Sequence, residues 1–139
     1  MPDLPKKKVG LIACSGEEMP EGTVSRRAVR EVLERLRPDD TVALCLPLFL
    51  AGGEGERAFA RHYPTITIDG CEKRCAAKAT EKFSGRPASA IVVTRLREGP
   101  GTCAIGSARC LNAAGKKLAE KVARAVASET DCLLGRKER

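Results

Sequence analysis

The chain has 139 residues, a formal net charge of +7, seven cysteines and only 3% aromatic residues, none of them tryptophan. That length suits one domain whose core must be mostly Val, Ile, Leu and Ala, and no stretch approaches the ~20 apolar residues of a membrane span. Phe49, Phe59, Tyr63 and Phe83 are too scattered to form stacking platforms, so no nucleic-acid partner is expected; the positive surface suits an acidic protein partner better.

The opening stretch, Met1 to Lys8, lacks a secretory hydrophobic region, and the apolar run Val9 to Ala13 is too short and strand-like to supply one. A cytoplasmic chain is the expectation. The first strand is read as Lys8 to Cys14. After the loop Ser15 to Gly22, a helix is predicted over Val24 to Arg37. Ala28, Val29, Val32, Leu33 and Leu36 share one face of it, Thr23 or Ser25 caps it, and Pro38 ends it. A second strand covers Thr41 to Leu46, and a short helix Glu54 to Arg61. The third strand is Thr65 to Ile68, followed by a helix from Cys71 to Phe83. A fourth strand over Ala90 to Thr94 leads through a Gly/Pro loop to a long helix from Ser107 to Ala127. No repeat interrupts the series.

Strand alternating with helix is the signature of an α/β fold: three layers, a mostly parallel four-stranded sheet, and helices on both faces. The expectation is a single domain over residues 1–139, with 1–7 and 129–139 as flexible ends. Sequence leaves the strand order open. In the order 2-1-3-4, the ends of neighbouring strands would lie ~4.8 Å apart.

Cysteines stand at the carboxyl ends of three successive strands. Cys14 follows Val9-Gly10-Leu11-Ile12-Ala13, Cys45 follows Thr41-Val42-Ala43-Leu44, and Cys71 follows Thr65 to Gly70, with Cys75 four residues on. In an open parallel sheet that edge is where functional groups gather. In a reducing compartment, thiols at this density indicate metal binding or redox work rather than a disulfide framework. On one helix, Cys71 and Cys75 would share a face with Cβ atoms ~5–6 Å apart, a span that one zinc ion accommodates. Cys71 at a helix start would also gain thiolate character from the unpaired N–H groups and from Lys73 and Arg74. Gly70 is read as the residue that lets the backbone turn sharply there.

The stretch Ile68-Asp69-Gly70-Cys71, with Cys75 after it, Cys14-Ser15-Gly16 upstream and Cys45-Leu46-Pro47 between, resembles the DGC-domain family of zinc-binding proteins. The resemblance spans Val9 to Thr94. It implies four chelating cysteines, which fall by position on Cys14, Cys45, Cys71 and Cys75. Zinc is the cofactor it favours, in a structural, sensing or metal- and sulfur-handling role.

Two alternatives use the same residues. One is a thiol enzyme for sulfur transfer or disulfide exchange, with Cys71 attacking and Cys75 or Cys14 resolving. The other is an iron–sulfur protein with the same four ligands. Cys103 falls on the same expected edge and is a candidate fifth thiol. Cys110, placed in the first turns of the last helix, and Cys132, near the polar end, read as bystanders. His62, the single histidine, reads as a surface residue, and Glu17-Glu18 as a solvated loop. Asp69 reads as a helix cap first and a partner to a ligand second. Gly52-Gly53-Glu54-Gly55 lacks the Lys-Ser/Thr of a phosphate-binding loop, and Ser15 has no nucleophile frame, so nucleotide binding and serine hydrolysis are unsupported.

Overall fold

The computed structural model describes residues 8–97 and 104–136. Its sheet contains β1 (Val9–Ala13), β2 (Thr41–Ala43), β3 (Thr65–Asp69) and β4 (Ser89–Val92) in the order β2-β1-β3-β4. Every neighbouring pair is parallel, with Ala13 opposite Ile68 and Asp69 opposite Val92. Parallel strands require crossovers. These are α1 (Pro20–Glu31), then α2 (Leu46–Ala51), α3 (Glu54–Arg57) and α4 (Phe59–His62), then α5 (Cys75–Phe83); α6 (Val93–Leu96) and α7 (Ala113–Leu133) follow β4. The three-layer α/β reading is correct, and its strand order is the one that gathers the strand-end cysteines.

Alternation along the strands sorts the two faces. Val9, Leu11, Ile66 and Ile68 meet Val24, Ala28 and Val32 from α1 and its extension, and Leu118, Val122 and Val126 from α7. Ile12 and Cys14 point the other way, to Leu46 and Phe49 of α2 and Ala76 of α5. The first cluster is the main core. Arg37 and Asp131 tie its ends together through two hydrogen bonds, 2.8 and 2.7 Å.

Several boundaries differ from the sequence reading. Helix α1 starts at Pro20, whose missing N–H suits a first turn. Its N-cap is Met19, with no side-chain cap. Neither expected cap acts as one: Thr23 Oγ1 donates to Ala108 O and Ser25 Oγ to Gly22 O. A π-helical stretch, Val32–Leu36, finishes this helix, closed by Arg37 N–H to Val32 O at 2.8 Å. β2 stops at Ala43, and Leu46–Ala51 is a helix that apolar composition alone did not distinguish from loop. The helix expected over Glu54 to Arg61 breaks into α3 and α4. Strand β4 ends at Val92, and Val93 to Leu96 turn helical. Helix α7 begins only at Ala113, where the Asn112 side chain accepts from Gly115 N–H at 2.9 Å, so Cys110 lies before it. Residues 129–133, expected at a loose end, are its last turns.

Candidate functional site

The carboxyl ends of β1 and β3 lie side by side, and Cys14 N–H continues the ladder to Ile68 O at 3.0 Å. Three glycines let the start of α1 settle onto this edge. Gly16 has a positive φ of 41°. A Cβ on Gly22 would sit 2.2 Å from Gly16 O, and one on Gly70 would sit 2.8 Å from Gly22 N. Gly70 has no left-handed backbone. It is required because a helix backbone passes against it, which corrects the sharp-turn reading.

The Cys14 thiol is buried at this junction, 8% exposed. Its Sγ accepts from Gly70 N–H at 3.2 Å and lies 3.6 Å from Ser25 Oγ. Ser25 has one hydroxyl hydrogen, and Gly22 O accepts it at 2.6 Å. The thiol hydrogen of Cys14 therefore points at Ser25 Oγ. One backbone group, after β3, and one side chain, from α1, hold this sulfur in place.

The Asp-Gly-Cys run divides into three jobs. Asp69, 1% exposed, ends β3 and accepts from Ala76 N–H at 2.7 Å and Ala77 N–H at 3.1 Å, which caps α5 from a distance. Burial raises its pKa; those two N–H groups, Arg74 and Lys78 pull the other way. Gly70 provides the close approach. Cys71 opens a tight turn through Lys73, closed by Arg74 N–H to Cys71 O at 3.1 Å.

That turn overturns one expectation. Arg74 adopts the left-handed conformation, φ 54° and ψ 49°, and α5 starts at Cys75. Cys71 and Cys75 are therefore not an i, i+4 pair on one helix. The helix N-terminus lies beneath Cys75, not Cys71. Each of the two cysteines nevertheless faces the same space. A cavity of about 350 Å³ is lined by Cys14, Cys71 and Cys75, together with Met19, Lys73 and Arg74. A second cavity, about 340 Å³, lies between α1 and the connection from β2 to α2; Cys14, Cys45 and Glu17 line it with apolar neighbours such as Leu33 and Leu44. Cys14 thus stands between one space holding Cys71 and Cys75 and another holding exposed Cys45.

In kind, this donor set suits a soft or borderline metal: four sulfurs at one sheet edge, one of them already receiving a backbone N–H. In placement it is open: among the described residues, no three His, Cys, Asp or Glu side chains lie close enough together to hold an ion. Asp69 spends both oxygens on α5. None of the six described cysteines is in a disulfide. Cys110 is exposed before α7, and Cys132 is exposed near its end. Cys103 lies outside the described residues. His62 packs its ring edge-on to Tyr63, 4.6 Å between centroids, and lines neither thiol cavity.

Sequence reasoning missed Ser25, taken for a cap, and gave Arg74 only a generic positive charge. No local signal marks either role: one depends on a neighbour eleven residues away, the other on a backbone conformation that arginine rarely adopts.

Comparison with curated proteins and with solved structures returns no match. The family profile described as the DGC domain matches residues 10–101, from β1 past β4, and so covers all four cysteines at the sheet edge. The chain belongs to the DGC-domain family.

Proposed function

We propose that this is a metal-binding thiol protein in which Cys14, Cys45, Cys71 and Cys75 hold one zinc ion. The role is structural, sensing or metal- and sulfur-handling, in the cytoplasm. The observation that carries the reading is the position of Cys14. It is fixed by Gly70 N–H and shares one cavity with Cys71 and Cys75 and a second with Cys45. When bound, zinc would supply a tetrahedral hub for thiolate sulfurs. The chain's own contribution is the rest. Cys14 is a preset ligand. Cys71 belongs to a short turn, Cys75 opens α5 and Cys45 lies in the segment before α2, the three places from which further sulfurs are supplied. Gly70 N–H, Lys73 and Arg74 temper the negative charge of the thiolates.

Metal analysis after anaerobic purification tests this. The expected result is about one zinc per chain, lost in Cys71→Ser and kept in Cys132→Ser; the first variant should also be less stable, because site binding contributes to folding. Equal zinc in both variants rejects the ligand set. Iron with sulfide and broad absorption at roughly 400 nm would identify a cluster on the same residues instead.

A second reading, thiol chemistry by sulfur transfer or disulfide exchange, is favoured by one specific observation. Exposed Cys75 is the first residue of α5, where unpaired N–H groups stabilise a thiolate. In that reading the attacking sulfur moves from Cys71 to Cys75. Metal-free protein with a single fast-alkylating cysteine at position 75 supports it; uniform slow alkylation rejects it.

A further inference from the structure

Next to the thiol cavity, a second cleft opens between α5 and β4. Its volume is about 250 Å³, and Arg74, Lys78, Arg86 and Glu81 line it with Ala77, Pro87 and Ala90. Three cations face one carboxylate, which leaves two positive charges unbalanced. The other nearby carboxylates are committed elsewhere. Asp69 accepts from the backbone of α5, and Glu72 is paired with Arg95 at 2.7 and 2.9 Å. Arg74 belongs to both spaces, lining this cleft and the cavity of Cys14, Cys71 and Cys75.

Arg74 carries two marks of a residue held for a purpose other than folding. Among the described residues it is the single non-glycine with positive φ. Left-handed backbone costs a residue with a Cβ on the order of 1 kcal/mol or more, and Gly would occupy it freely. In addition, its Nε is buried with no hydrogen-bond partner among the described residues. A buried donor without an acceptor is costly in a folded chain and calls for an explanation.

We propose that the cleft of Arg74, Lys78 and Arg86 is an anion-binding subsite adjoining the thiols, so that the molecule meeting Cys71 and Cys75 bears a phosphate or carboxylate group. Arg74 is the hinge between the two spaces, with its guanidinium supplying planar, paired donors to the anion. The inference rests on the thiol-site reading for its meaning, but its test does not depend on metal.

The full chain as purified is titrated with inorganic phosphate, and separately with acetate, at constant ionic strength, while backbone amide resonances are followed. The expected result is saturable shifts confined to residues around Arg74, Lys78 and Arg86 with at least one of the two anions; which one it is identifies the group carried. Arg86→Gln should weaken binding several-fold and keep the zinc content of the wild type. Arg74→Gly should abolish it while raising Tm, since the strain is relieved as the cation is lost. To link the cleft to the thiols, the chelator-treated chain is alkylated with iodoacetate and with iodoacetamide. The rate ratio at Cys75, normalised to Cys132, should exceed one by about tenfold and fall towards one in Arg74→Gly. No saturable shift with either anion overturns the proposal. So does a lowered Tm in Arg74→Gly with the ratio intact, which would make Arg74 structural. Loss of zinc binding with the anion response preserved would reject the metal reading alone.

Discussion

On the side of the sheet covered by α1 and α7, the buried hydroxyls of Ser25 and Thr130 donate to Gly22 O at 2.6 Å and Val126 O at 2.8 Å, and half-buried Arg37 grips Asp131 with two bonds. On the side covered by α2 and α5, the apolar cluster is small, and Thr67 Oγ1, Thr80 Oγ1 and Arg74 Nε are buried without a partner among the described residues. Asp69, Cys14 and the cavity of Cys71 and Cys75 belong to this second side or its edge, whereas the cavity of Cys45 opens under α1. The difference teaches where each task sits. One face holds the fold through broad apolar packing, and that allows the other face to carry buried polar groups and an unusual backbone.

The strongest way to break this contrast is through the main core. Ile66, fully buried under α1 and α7, should cost about 3 kcal/mol when replaced by alanine, by lost burial and the cavity left behind. Denaturant melts measure it, and native-state alkylation of Cys75 should stay at the wild-type rate. A loss below 1 kcal/mol would mean that the main core is not where stability resides.

Gly70→Ala comes next. Its Cβ would meet backbone atoms of Gly22 and Glu21 at 2.8 and 2.9 Å, and those belong to a helix that cannot yield without leaving the edge. A cost of roughly 1–3 kcal/mol is expected, together with faster alkylation of Cys14 as its N–H donor is displaced. Unchanged Cys14 reactivity would show that this junction does not hold the sulfur.

Smaller still is the ion pair at the end of the main core. Hydrogen bonding to Arg37 is the leading cause that lowers the pKa of Asp131, with Arg136 adding to it. A carboxylate whose folded pKa lies below its unfolded value adds stability above the unfolded pKa and loses it as pH falls through the folded one. The gap between wild type and Asp131→Asn should therefore be about 1 kcal/mol near neutral pH and close as pH drops below about 4. Melts at stepped pH check this; a gap that widens in acid would contradict the pairing.

The smallest change is Ser25→Ala. It removes the acceptor of the Cys14 thiol hydrogen and a bond to Gly22 O, both buried. About 1 kcal/mol or less should be lost, with a measurable change in the rate of Cys14 alkylation at fixed pH. An identical rate in the variant would separate Ser25 from the sulfur.

How much was legible in advance follows from which interactions are local. Strand-end cysteines, the apolar stripe of Ala28, Val29 and Val32, and the alternation of strands and helices are written in short-range periodicity. They sufficed for the α/β class and for choosing Cys14, Cys45, Cys71 and Cys75 as the candidate ligands; the family match over residues 10–101 spans all four. Asp69 was legible as a cap because a carboxylate between a strand and the next helix suits the unpaired N–H groups of that helix, though the helix it caps starts at Cys75 rather than Cys71.

What only tertiary structure decided was everything set by contacts between distant segments. The order β2-β1-β3-β4 arises from how crossovers pack, not from any one strand. The need for Gly70 comes from Gly22, 48 positions earlier in the chain. The left-handed turn at Arg74, which separates Cys71 from the helix of Cys75, opposes the local preference of arginine. Asp69 captures Ala76 and Ala77, so α5 begins at Cys75 with Arg74 in the turn before it. Local sequence named the sulfurs; long-range packing chose which of them share a cavity, because backbone strain of that size is overruled only by the sum of many nonlocal contacts.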